Sequence, residues 1–521
     1  MRQHWLFSAL TLFALFCFSH STYGQDRVTE LEKKVELLEA QLAEVKALLQ
    51  AEQAARTAAP PVPTPTTQPE SAESVEEIKP QTRLVGPGGT LGIGGDIRFR
   101  SLYFDNLWDF DSASDGDQRE VIRFRPRVYF DWKPTDNIEA YVRFTKEWFY
   151  GQDEEMPGYD VEAKDLLVDN AWGEFRNMFD TGLTLRVGRQ DLIYGEGFVI
   201  LDGTPFDGSQ TTSFDAVKLS WAHDFGSTDF LYSKLHENDF EAADDEDFYG
   251  IYNKFSLWEI GLEPYLLARN KNLDALAGVA PQASNPMFDP SPEENTYLAG
   301  MRVTKSVEVA DGVKLDLAAE GGKQWGKVDF KDMDALPDAL EFSRAPGSTV
   351  EDRDAWGGLL SGTVTLSHVL WNPSIRAAFS YMSGDDPSTE DYEGWDDFYA
   401  QWPKYSELYV YTLYDGFKGR TGINDPDIGV WSNMMIPELM LTVRPNDKLT
   451  QSLRYLYFLA EEETGPGNGD ERGHNLQWLT NYVFNANLSS HILVEWFAPG
   501  DYYADGADDA LFARLQLMYS F

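Results

Sequence analysis

Residues 121–132 alternate without a break. Ile122, Phe124, Pro126, Val128, Phe130 and Trp132 share one face, and Arg123, Arg125, Arg127, Tyr129 and Asp131 share the other. An α-helix would scatter both sets around its circumference, whereas an extended strand separates them. After the turn residues 133–137 a second run follows, in which Ile138, Ala140, Val142 and Phe144 oppose Glu139, Tyr141, Arg143 and Thr145. A chain built from such runs is confined to sheets with one apolar and one polar face.

The pattern recurs to the end of the chain. Candidate strands lie at 91–103, 166–176, 183–194, 214–223, 228–236, 247–255, 259–269, 295–304, 313–327, 354–368, 372–382, 436–444, 449–460, 473–484, 487–497 and 510–521, giving eighteen with the first two runs. A nineteenth alternating stretch, 407–414, is placed in a loop. Short connections such as 224–227, 256–258, 445–448 and 485–486 alternate with long ones such as 270–294, 328–353 and 383–435. Short turns at one end and long loops at the other are the habit of an outer-membrane barrel, and a soluble sandwich has no reason to share it. Strands of about ten residues are long enough to cross a bilayer at the usual tilt. The last run sets Leu515, Leu517, Tyr519 and Phe521 against Arg514, Gln516, Met518 and Ser520. A final aromatic on an alternating strand is the usual recognition signal for outer-membrane insertion. The expected fold is therefore all-β, a transmembrane antiparallel β-barrel of about 18 strands over 91–521.

The segment before the barrel reads differently. An apolar run from Trp5 to Phe18 follows Arg2, and Thr22 and Gly24 precede a cleavage point before Gln25, so 1–24 is expected to be a signal peptide. Val28, Leu31, Val35, Leu38, Leu42, Val45 and Leu49 are spaced alternately by three and four. These are the a and d positions of a coiled coil, so 25–57 is expected to be a helix that joins copies of the chain into a homo-oligomer. Pro60, Pro61, Pro63, Pro65 and Pro69 then stop any helix, and 58–90 reads as an extended linker.

Composition excludes several functions. The 521 residues carry a net charge of −43, which argues against nucleic acid as a partner. The single cysteine, Cys17, excludes a disulfide scaffold and an iron–sulfur cluster. No G-x-S-x-G, H-E-x-x-H or phosphate-loop motif occurs, and His223, His236, His368, His474 and His491 are scattered singly. No enzyme, cofactor or metal site is expected. The acidic run beginning at Asp111 has Ala113 at its third position, which does not fit a calcium loop. Acids crowd the long connections 105–118, 151–165, 237–246, 383–403, 461–472 and 499–509, where Lys164 and Arg472 alone oppose them. These are read as external loops, bridged by divalent ions to lipopolysaccharide in the surrounding outer-membrane lipid.

The strands carry the opposite charge. Arg98, Arg100, Arg123, Arg125, Arg127, Arg143, Arg186 and Lys218 lie on polar faces. A charge facing lipid costs about 2–4 kcal/mol at mid-depth, so these side chains are expected in the lumen. There they either pair with carboxylates such as Asp131, Glu139, Glu147 and Glu174, or line a path for an anionic solute.

The sequence Leu185-Arg186-Val187-Gly188-Arg189-Gln190-Asp191-Leu192-Ile193-Tyr194-Gly195, followed by Phe214-Asp215-Ala216-Val217-Lys218, resembles the alginate export porins of bacterial outer membranes. The endings Glu495-Trp496-Phe497-Ala498-Pro499-Gly500-Asp501 and Phe512-Ala513-Arg514-Leu515-Gln516-Leu517 are similar as well. The resemblance implies a monomeric eighteen-stranded barrel with an arginine-rich pore, through which an anionic, alginate-like polysaccharide leaves a Gram-negative cell passively. It marks Arg186, Arg189 and Gln190 as pore residues, with Lys218 standing where Arg is expected. Strict alternation sets Arg189 outward with Leu185 and Val187; a bulge or a one-residue shift of register would reconcile the two. The coiled coil is no part of the family pattern and favours the alternative of an oligomeric uptake porin for small anions or sugars.

Overall fold

The computed structural model describes residues 82–86, 88–106, 110, 112, 118–150, 166–202, 214–236, 246–271, 293–329, 350–386, 388–400, 404–411, 431–465, 467, 469–503 and 506–521. The expected signal peptide, the coiled-coil segment and most of the linker lie outside the described residues.

Eighteen strands among them form one closed antiparallel sheet. They are β1 (Gly89–Asp105), β2 (Arg119–Thr135), β3 (Ile138–Thr145), β4 (Leu167–Met178), β5 (Leu183–Gln190), β6 (Phe214–His223), β7 (Gly226–His236), β8 (Glu246–Leu257) and β9 (Ile260–Lys271), followed by β10 (Glu293–Ala310), β11 (Val313–Asp329), β12 (Val350–Leu366), β13 (Ser374–Met382), β14 (Met434–Asn446), β15 (Leu449–Leu459), β16 (Glu471–Asn485), β17 (Leu488–Pro499) and β18 (Ala510–Ser520). Each pairs with its neighbours in sequence, and β18 returns to β1 from Asp96↔Ser520 to Asp105↔Leu511. No edge is left unpaired, which is the condition for a sheet surrounded by lipid. Every one of the eighteen alternating runs is one of these strands. A short strand, Thr82–Gly86, pairs with the start of β1 inside the stretch read as linker.

The outer surface shows why the strands alternate. Val217, Ile251, Leu266, Met301, Leu317, Leu360, Leu439 and Leu453 point outward along the middle of the wall. Tyr232, Tyr249, Tyr297, Trp325 and Trp356 ring the loop end, and Trp132, Trp221, Trp258, Trp371 and Tyr519 ring the turn end. An apolar band between two aromatic girdles is the surface a bilayer requires.

The inside is filled rather than empty. Residues 191–202, leaving β5, and residues 388–400 and 404–411 between β13 and β14 fold into the lumen. They pair there: Leu201 N–H donates to Tyr399 O at 2.6 Å, and Tyr399 N–H to Val199 O at 2.9 Å. Tyr399 packs edge-on against Phe214 of β6 and Phe248 of β8. A short helix, α1 (Glu407–Tyr411), lies in the same connection. Its Tyr409 stacks on Phe458 at 4.9 Å and packs against Phe497 at 5.3 Å. Burying each such aromatic stabilises the inward position by about 1.5–3 kcal/mol.

Candidate pore wall

The wall made by β1 to β6 gathers the basic residues. On β1, Ile97 and Phe99 face outward, so Asp96, Arg98 and Arg100 face inward. On β2, Arg123, Arg125 and Arg127 are inward, opposite Phe124, Phe130 and Trp132. The register sets Arg98 beside Arg125, Arg100 beside Arg123, and Asp96 beside Arg127. Like charges directly across a sheet repel. Two carboxylates offset this. Glu147, just beyond β3, accepts from Arg98 at 3.2 Å and from Arg123 at 2.8 Å. Asp96 accepts from Arg125 at 3.4 Å and from Arg127 at 2.7 Å. Arg100 donates to Gln516 of β18 at 2.8 Å. On β3, Arg143 pairs with Asp169 at 2.5 Å and Asp191 at 3.3 Å.

Arg98, Arg100, Arg123, Arg125, Arg127 and Arg143 thus share one wall, and Asp96, Glu147, Asp169 and Asp191 are among the carboxylates that hold them. Arg98, Arg100, Arg125 and Arg127 are at most 4% exposed, so they are packed into the wall at mid-height. The Arg186 side chain, nearer the turn end, is 25% exposed and bonds Glu174 at 2.6 Å. Lys218 of β6 stands beside Arg186 in register, facing inward with Phe214 and Ala216. Of the carboxylates anticipated as partners, Glu139 and Glu174 both bond Arg176, and Asp131 bonds Lys133 at 3.0 Å.

Two anticipated pore residues sit elsewhere. Arg189 lies on the outward face with Val187 and Val217, its two nitrogens 2.8 Å from the carboxylate of Asp215. Alternation, rather than the family motif, gives its direction. Gln190 is inward but fully buried, and its amide donates to Gly188 O at 3.0 Å and Ala216 O at 3.1 Å. It is a strut of the wall. Gly188 has φ +120°, and a Cβ there would lie 2.2 Å from Ala171 O, so a side chain is excluded by both conformation and space. Beyond Gln190, Asp191 turns back to Arg143, and Tyr194 donates to Asp229 at 2.7 Å. The G-R-Q-x-L-x-Y-G motif is where the chain leaves the wall and enters the lumen.

Sequence reasoning missed two features. One is a cross-strand stack: Tyr129 lies 5.5 Å from Tyr141, Tyr141 lies 5.3 Å from Trp172, and the Arg186 guanidinium sits 4.0 Å over Trp172. The inward phase of Tyr129 and Tyr141 was its signal. The other is that acids assigned to external loops lie inside. Asp396 is buried against Arg269, and Glu407 is buried against Arg514. Lys404 enters with them and donates to Glu196 O at 2.6 Å. Burial pulls its amine down to about 8, although Glu196 and Glu320 hold it up. No spacing in the loop distinguishes these residues from solvated ones. On the far wall Arg302, Arg376 and Arg454 stand among Glu263 and Glu438 of the wall and Glu196 of the lumen segment.

Solved structures share the architecture. OccK9 (OpdG) of Pseudomonas aeruginosa superimposes with a TM-score of 0.50 at 12% identity, over 82% of this chain and 98% of its own. OprD of Pseudomonas aeruginosa gives 0.46 at 12%, over 82% and 93%. OccAB4 of Acinetobacter baumannii gives 0.48 at 13%, over 82% and 98%. At these identities the likeness concerns the fold alone. No curated protein matches the chain. The alginate export family model matches residues 90–514, nearly the whole barrel. The chain therefore belongs to the alginate export family and is a channel in the outer membrane of a Gram-negative bacterium.

Proposed function

We propose that this channel lets an anionic, alginate-like polysaccharide leave the periplasm passively. The gathering of guanidinium groups on β1 to β3, continued toward the turn end by Arg186 and Lys218, carries the reading. Guanidinium forks hold carboxylates in a geometry that lysine does not reproduce. The Tyr129–Tyr141–Trp172 stack beside Arg186 adds flat apolar surface of the kind that suits sugar rings. Paired arginines bind a passing carboxylate weakly enough to release it, which conduction requires.

Planar-bilayer recording tests this. Wild type should be anion-selective in a salt gradient. Arg123→Glu, Arg186→Glu and Lys218→Glu together should shift the anion-to-cation permeability ratio on the order of tenfold toward cations, since a pore lining sets a potential of several kT. An oligouronate should interact more from the turn side than from the loop side. A cation-selective wild type, or stronger interaction from the loop side as an uptake porin would give, overturns the reading.

The coiled coil at 25–57 joins copies of the barrel, and lipopolysaccharide meets the loop-end rim, where Arg189–Asp215 and Lys323–Asp354 pairs face outward. Leu31→Pro, or removal of 25–56, should lower the oligomeric state with conductance per barrel unchanged. A mass measurement giving a monomer for both forms would eliminate self-association.

A further inference from the structure

At the turn end of the lumen, from β5 to β8, basic side chains stand without the ion pairs that hold the arginines of β1 to β3. Arg186 of β5 uses part of its fork: Nε and Nη2 both bond Glu174, at 2.7 and 2.6 Å, and Nη1 has no partner among the described residues. Its plane is set by the Trp172 ring, 4.0 Å away. Lys218 of β6, beside Arg186 in register, is half-buried on the lumen face. Arg186 and Lys254 repel its ammonium group, and Asp229 and Glu174 attract it. It nevertheless makes no hydrogen bond or ion pair with a described residue. Exposed Lys254 of β8 makes none either, and its Nζ lies 5.1 Å over the ring of Tyr194.

The fold keeps these cations together and leaves them short of anions. Tyr194 belongs to the segment that leaves β5. It packs on Tyr252 of β8 at 4.2 Å, which stacks on Tyr265 of β9 at 5.3 Å. The Tyr194 hydroxyl donates to Asp229 at 2.7 Å, and Glu174 is bonded by both Arg176 and Arg186. Asp229 of β7 lies diagonally between the two lysines, opposite Ser220 of β6 on one side and Tyr252 of β8 on the other. Like charges held this close, with their carboxylates already engaged, are stabilised by an added anion. The group is also separate from the arginines of β2. Arg186 and Lys254 are three residues from the turn ends of their strands, whereas Arg127, Arg125 and Arg123 are eight or more from theirs.

We propose that Lys218, Lys254 and the open edge of Arg186 form a second anion-binding subsite at the turn-end mouth, which takes one carboxylate of a uronate chain before the chain meets the arginines at mid-height. This rests on the export of an anionic polysaccharide proposed above. An ammonium group is a point charge on a flexible stem, so the subsite responds to charge rather than to the planar shape an arginine fork selects. A sulfate ester is held there as a carboxylate is, and a neutral sugar is not.

Thiol chemistry tests this. The one cysteine of the chain, Cys17, lies in the expected signal peptide, so Ser220→Cys gives the mature barrel a single thiol. Ser220 shares the inward face of β6 with Lys218. Its rates with an anionic sulfonatoethyl and a cationic trimethylammonioethyl methanethiosulfonate are compared. K218Q/K254Q should lower the anion-to-cation rate ratio on the order of tenfold, since charges lining a cleft set a potential of several kT. An unchanged ratio overturns the subsite. Heat-modifiable migration checks folding, and K218Q and K254Q are measured singly should the double variant misassemble. An oligouronate or a dextran sulfate oligomer, added from the turn side, should protect the thiol, and the protection should vanish in K218Q/K254Q. Equal protection by a neutral dextran oligomer, or none by the oligouronate, overturns recognition of the chain by its charge. Protection by the oligouronate without protection by dextran sulfate overturns the point-charge reading. Reversal potentials decide the export reading separately: a cation-selective barrel that passes the thiol tests keeps the subsite and loses its role in export.

Discussion

Arg125→Glu combined with Arg127→Glu is expected to remove nearly all folded barrel from the outer membrane, read as loss of the heat-modifiable band. Asp96 bonds both guanidinium groups, and all three side chains are at most 4% exposed. Breaking a buried pair costs about 3–5 kcal/mol, because the partner stays buried without compensation. Reversal goes further and sets three carboxylates together where there were two cations and one anion. Total stabilities of about 5–15 kcal/mol leave little margin for that. Adding Asp96→Asn should restore part of the folded band by relieving the repulsion. A doubly reversed variant assembled at wild-type level would show that the Asp96 pairs do not hold this wall. The contrast with Arg123, Arg186 and Lys218 is intended: those changes should alter selectivity and spare the barrel.

Gly95→Val is expected to impair closure of the barrel. Gly95 and Phe521 exchange both backbone hydrogen bonds at 2.9 Å, at the turn end of the β1–β18 seam. A Cβ at Gly95 would lie 2.3 Å from Arg127 O and 2.7 Å from the Phe521 ring. Backbone on one side and an aromatic on the other leave no room to yield. Overpacking costs about 1–3 kcal/mol, and each lost seam bond adds about 0.5–1.5 kcal/mol. The seam joins the first and last strands, so no turn holds them together while the clash is relieved. The prediction is a severalfold lower folded fraction, with Gly95→Ala intermediate, measured by heat-modifiable migration of refolded protein. Equal folding of the valine variant would mean that the seam tolerates displacement.

The eighteen strands and the faces of most side chains were legible in the sequence, because both are local. A strand repeats every two residues, and a wall between lipid and lumen has to sort apolar from polar at that period. Ile122 to Trp132 fixed the direction of Arg123, Arg125 and Arg127 without knowledge of any neighbour. The same rule set Arg189 outward, against the motif that marked it for the pore, and the structure has it outward with Asp215. The contents of the lumen were not legible. Asp396 finds Arg269 across 127 positions of chain, and Glu407 finds Arg514 across 107. In sequence both are acids in an acid-rich connection, indistinguishable from loop charge facing water. Only closure of the sheet brings β9, β12 and β18 around one space, and only there do their buried guanidinium groups meet Asp396 and Glu407.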